Sequence, residues 1–144
     1  MTYRLHQGDL PEEFDFGAVV AIDTEAMGLN PYRDRLCVVQ LSAGDGNAHL
    51  VQFAPGVYEA PRLRRLLGDS QVTKLFHFAR FDLAMLYRYL GVMATPVYCT
   101  KIASRIARTF ADRHGLRDLC KEILNIDLSK QQQASDWGAA TLTD

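Results

Sequence analysis

The stretch Ala18-Val19-Val20-Ala21-Ile22-Asp23-Thr24-Glu25 decides how this chain folds. Its apolar, β-branched run is the pattern of a buried strand, and the run ends in carboxylates. Turn chemistry follows in Asn30-Pro31-Tyr32-Arg33-Asp34, after which Arg35-Leu36-Cys37-Val38-Val39-Gln40-Leu41 reads as the next strand. The glycine-rich turn Ala43-Gly44-Asp45-Gly46-Asn47 leads into a third, Ala48 to Phe53, so the pair makes a hairpin. These first three strands are expected to be antiparallel neighbours, a meander instead of the opening of a parallel β-α-β unit.

Beyond Pro55-Gly56 the pattern changes. Ala60 to Leu67 reads as a short amphipathic helix ended by Gly68-Asp69, and Val72 to His77 as a fourth strand. Arg80 to Leu90 reads as a helix with Phe81, Met85 and Leu86 inward, stopped by Gly91. Val97-Tyr98-Cys99 is expected to be a short fifth strand, Thr100 the cap of a helix running to about Thr109, and Leu116 to Leu124 the last helix. A meander followed by alternating helix and strand gives an α/β fold, a mixed sheet flanked by helices.

At 144 residues and 48% hydrophobic content the chain is expected to form one domain over residues 1–144. A chain of this size buries roughly two thirds of its unfolded surface, so it needs neither disulfide nor structural metal. Cys37, Cys99 and Cys120 are widely spaced and odd in number, which argues for reduced thiols and against a zinc ribbon. No run approaches a membrane span and the N-terminus lacks a secretory apolar region, so a cytoplasmic protein with no membrane partner is expected. With 16 Lys and Arg against 17 Asp and Glu, a nucleic-acid binder held by overall positive charge is excluded. Any such binding must be local, and Lys101 to Lys121 carries six basic residues against two acids.

Asp23 and Glu25 lie two apart on a strand, so their side chains leave from one face. Two carboxylates held together repel unless a cation or a proton sits between them, and hard oxygen ligands suit Mg²⁺ or Mn²⁺. A solvated strand end or a helix N-cap would show the same spacing. Asp82, at the next strand-to-helix junction, reads equally as a helix-dipole partner. Both acidic positions fall at strand C-terminal edges, where α/β sheets commonly place their ligand crevice, and together they make a two-metal phosphoryl-transfer arrangement.

The run Val19-Val20-Ala21-Ile22-Asp23-Thr24-Glu25, with Gly28-Leu29 after it and His77-x-x-x-Phe81-Asp82 later, resembles the first two motifs of the DEDD superfamily of 3′-5′ exonucleases. Leu128 to Trp137 is similar to the segment preceding the third motif in the ribonuclease D branch. The single-domain length, Cys99 to Ser104 and Asp112 to Leu116 look closest to the nano-RNase C group, enzymes of short RNA. This resemblance implies an RNase H-like fold and a metal-dependent 3′-5′ exoribonuclease that releases nucleoside 5′-monophosphates from dinucleotides or short RNA. It also implies two divalent ions, Mg²⁺ or Mn²⁺, with Asp23 bridging them, Glu25 on one and near the 3′ hydroxyl, and Asp82 on the other.

The third motif, Tyr-x-x-x-Asp, would supply a fourth carboxylate and a water-positioning tyrosine, and it is expected shortly after Asp144. Neither Asp136 nor Asp144 stands in its context. The 144 residues are therefore expected to be a truncated form that binds metal weakly and turns over slowly.

Substrate contacts implied by the resemblance fall on Thr24, Gly28, Leu29, His77, Phe81, Lys130 and Gln133. Leu29 reads as a wedge against terminal bases or as a loop anchor, and His77 as a backbone contact or a structural group. Phe53, Phe78 and Phe81 read as stacking surfaces or as core. Lys101, Arg105 and Arg108, spaced i, i+4, i+7, with Arg113 beyond, read as a solvated face or as phosphate ligands. Competing functions are a ribonuclease D-like exonuclease of longer RNA or DNA and, in another class, a non-catalytic nucleic-acid-binding module. The resemblance also points to a homo-oligomer.

Overall fold

The computed structural model describes residues 2–128 and 136–142. Among the described residues ten elements follow one another: β1 (Thr2–Gln7), β2 (Val19–Ala26), β3 (Leu36–Ser42), β4 (Asn47–Gln52), α1 (Pro61–Gly68), β5 (Thr73–Phe76), α2 (Arg80–Leu90), β6 (Val97–Cys99), α3 (Thr100–Ala107) and α4 (Leu116–Leu124). The strands form one mixed sheet in the order β1-β4-β3-β2-β5-β6. The expected meander is β2-β3-β4, antiparallel throughout, while β5 joins β2 and β6 joins β5 in parallel.

Strand β1 precedes the meander and was not signalled by the sequence. It adds in parallel to β4, Thr2 opposite Asn47 through Gln7 opposite Gln52. Tyr3 and Leu5 of this outer strand remain exposed, so no apolar alternation marks it.

One sheet face is fixed by register. Ile22 pairs with Leu41 and Thr24 with Val39, while Val39 and Leu41 pair in turn with Val51 and His49. All six are buried. Leu63 and Leu67 of α1 and Met85, Leu86 and Leu90 of α2 share a core cluster with Val20, Ile22, Val39, Leu41 and Val51. The helices thus cover this face, and the intervening β2 positions, Asp23 and Glu25, project from the other.

Helix α2 ends as expected: Gly91 takes φ 65° and its N–H donates to the Tyr87 carbonyl. Helix α3 differs in two respects. It stops at Ala107, and Thr100 lies inside it, with Cys99 as the N-cap and no side-chain cap. The Thr100 hydroxyl instead bonds the Phe76 carbonyl at 3.1 Å and His77 Nδ1 at 2.9 Å, which ties α3 to the end of β5. The three cysteines are free thiols. Among the described residues no helix is long and apolar enough to cross a membrane.

Candidate active site

Strand β2 delivers Asp23 and Glu25, and the first turn of α2 delivers Asp82. A register shift at Glu25 and Ala26 ends the regular β2-β3 ladder just where the acids stand. Asp82 is buried at 4% exposure, and one of its oxygens is doubly bonded from β2: Thr24 donates its backbone N–H at 3.0 Å and its hydroxyl at 2.6 Å to Oδ1. Glu25 Oε1 accepts from Gln40 Nε2 at 3.1 Å. Gln40 stands opposite Asp23 in the β2-β3 register. It was not singled out beforehand, although one amide inside the apolar run Leu36 to Leu41 is a signal once that register is drawn.

The acids sense one another. Burial, then the charges of Asp23 and Asp82, push Glu25 up to about 7. Burial, with the Asp23 charge adding and Thr24 opposing, brings Asp82 up to about 6. Asp23 is solvent-exposed at the site's open side, yet the surrounding protein still raises its carboxyl. Such a set gains from a proton or a cation. Among the described residues no group of three or more His, Cys, Asp or Glu side chains is drawn together as a ready-made metal cage. The donors fit a hard cation by chemistry and mutual repulsion, and Asp82 Oδ1 is already occupied by Thr24.

The loop after β2 is built around Asp34. A Cβ on Gly28 would lie 2.3 Å from Asp34 Oδ2, so only glycine fits there. Asp34 accepts from Asn30 N–H and from Arg33, which hold its carboxyl down at about 2. Gly28 thus has a packing role, and Leu29 beside it is 84% exposed, which removes the loop-anchor alternative.

The other sequence candidates separate. Phe53 is buried in the core and Phe81 packs against it, whereas Phe78 is exposed. His77 is bonded to Thr100, and burial followed by the charge of Lys101 lowers its pKa. Lys101 stands over the Phe78 ring. Arg105 is exposed on α3, but Arg108 is the residue that ends the helix, and its guanidinium pairs with Glu122 of α4. The expected three-residue stripe therefore loses Arg108 to a helix-helix tie. Arg113 is exposed and lies 3.8 Å from Asp118. Lys130, Gln133 and Asp144 lie outside the described residues. Asp136 caps its own turn by accepting from Gly138 N–H. Residues 136–142 dock against the start of β3 and the end of β4: Arg35 and Gln52 donate to the carbonyls of Gly138 and Ala139, both at 2.9 Å.

With this geometry in place, comparison supplies the class. A family model described as 3′-5′ exonuclease matches residues 8–144, and the chain belongs to this 3′-5′ exonuclease family. Within it the chain is of the ribonuclease D and NrnC type. It is 34% identical over 125 residues to ribonuclease D of Gluconacetobacter diazotrophicus, covering 87% of this chain and 31% of that protein. It therefore spans about a third of the length of such curated relatives. The structure of Brucella melitensis NrnC with bound Mg²⁺ superposes with a TM-score of 0.93 at 52% identity, covering 99% of this chain and 70% of that one. The same protein bound to pGG gives a TM-score of 0.94 at 53% identity with the same coverage. Escherichia coli RNase D, an exoribonuclease involved in structured RNA processing, gives a TM-score of 0.70 at 26% identity, covering 89% and 33%. The mixed sheet with flanking helices is accordingly the RNase H-like exonuclease fold.

Proposed function

We propose that this chain is a single exonuclease domain that hydrolyses RNA from the 3′ end with the help of divalent cations, releasing nucleoside 5′-monophosphates from dinucleotides and short RNA. The observation that carries this reading is the coupling of Glu25, Asp82 and Asp23, whose raised carboxyls gain from a cation among them. Asp23, Glu25 and Asp82 would hold Mg²⁺ or Mn²⁺. The bound ions would activate water and stabilise the leaving 3′ oxygen. Thr24 fixes the orientation of Asp82 through its two bonds, and Gln40 orients Glu25. Leu29 stands free to meet a terminal base, and Lys101 and Arg105 supply positive charge toward phosphates.

The NrnC likeness, including a pGG-bound form of that protein, favours a dinucleotide or short RNA over the longer substrates of ribonuclease D. Self-association into a homo-oligomer belongs to the same reading. Tyr87, Met93, Tyr98, Ile102 and Ile106 line an apolar groove beside the outer strand β6, a surface that a second copy would cover.

The test is hydrolysis with protein in excess, so that slow chemistry is still read. A 5′-phosphorylated diguanylate should give guanosine 5′-monophosphate with Mn²⁺ or Mg²⁺ and none with chelator. Faster cleavage of long RNA would transfer the substrate to the ribonuclease D alternative. Binding without cleavage in saturating metal would favour the non-catalytic module.

A further inference from the structure

Phe78 sits between β5 and α2 with φ 65°, one of two non-glycine residues at positive φ among those described. A bulky side chain in the left-handed region is an outlier that persists only where its surroundings or its use maintain it. Packing does not explain it, because Phe78 is 54% exposed while its neighbours Phe76 and Ala79 are buried. The strained turn sets an aromatic face at the surface, four residues before Asp82. Over that face lies the Lys101 ammonium, 4.0 Å from the ring centroid.

We propose that Phe78 is a stacking platform for one nucleobase of the RNA, with Lys101 beside it as the cation that meets the adjoining phosphate. This deepens the exonuclease reading and rests on it. An exposed ring attracts any base through its π face, and a cation already lodged there shows that the face is electron-rich and accessible. When a base arrives, Lys101 gives up the ring and gains a phosphate oxygen, so the charge stays partnered in both states. The platform confers affinity for the chain of bases without reading their identity.

The test measures binding, so that it stands apart from turnover. Anisotropy of a fluorescent 5′-phosphorylated diguanylate is compared for the parent, Phe78→Gly and Phe78→Trp, each melted in parallel. Phe78→Gly should melt no lower than the parent, since glycine accepts this φ freely. It should nevertheless bind about tenfold more weakly, and Phe78→Trp should restore binding. Removing one base from the probe should cost the parent a similar factor and cost Phe78→Gly almost nothing. Equal affinity of parent and Phe78→Gly, or the same loss on intact and abasic probes, would overturn the platform. A parent that binds but does not hydrolyse would count against the exonuclease reading and leave the platform standing.

Discussion

Thr24 gives both of its donors to a single oxygen of Asp82, the N–H at 3.0 Å and the hydroxyl at 2.6 Å. A residue on the core face of β2 thereby orients a carboxylate on α2 through Oδ1, and the proposed cation would meet the second oxygen, Oδ2. Thr24→Val keeps the shape and removes one donor. It should cost about 1 to 2 kcal/mol in urea denaturation, because a buried carboxylate loses a partner. Cation affinity should fall with it. Unchanged cation affinity would mean that Thr24 serves the fold alone.

Glu25 is held up at about 7 by burial and by its acidic neighbours. An acid with a raised folded pKa favours the folded state below its unfolded value and loses that stability as pH rises through the folded value. Glu25→Gln should therefore stabilise the metal-free protein above pH 7, by about 1 to 2 kcal/mol once solvent screening is allowed for. The gain should vanish near pH 4. Thermal melts in chelator across this range read it directly, and a variant less stable than the parent at high pH would refute the repulsion.

His6 and His49 stack at 5.2 Å with planes 1° apart, and Nε2 of the first meets Nδ1 of the second at 2.9 Å. Burial lowers both, assisted for His6 by Arg4 and for His49 by His6 and then Arg4. Their neutral forms are thus favoured in the fold. The contribution is whole above the unfolded value of about 6.5 and is lost as pH falls through the folded values. Amide exchange in β1 should accelerate as pH drops below about 6.5, beyond its intrinsic pH dependence. His6→Gln should flatten the response, and an unaltered response in that variant would place the sensitivity elsewhere.

Gly28→Ala would set a methyl group into the Asp34 carboxylate. Asp34 cannot yield without releasing Asn30 and Arg33. The expected loss is about 1 to 3 kcal/mol, with the loop carrying Leu29 displaced. A melting temperature equal to the parent's would show that the loop adjusts freely.

Much of the fold was legible because period and punctuation agree along β2, β3, β4, β5 and α2. The misses have physical causes. β1 pairs with a strand some 45 positions away in register and buries little, so nothing local announces it. Thr100 has the chemistry of a cap, but a carbonyl and a ring from β5 compete for its hydroxyl. Arg108 follows the spacing of a charged stripe, yet the helix ends at that residue and Glu122 takes the side chain. For the candidate site, Asp23, Glu25 and Asp82 were nominated by position and motif. The Thr24 bonds, the Gln40 contact and the left-handed Phe78 needed coordinates, since each depends on register or backbone torsion.

The most direct measurement is calorimetric titration of Mn²⁺ into the parent, Asp23→Asn and Asp82→Asn at pH 7.5. The parent should bind, and binding should be weakened at least tenfold in each variant while the variants remain folded. No binding by the parent, or binding that survives both substitutions, would contradict the claim that these carboxylates are the cation site.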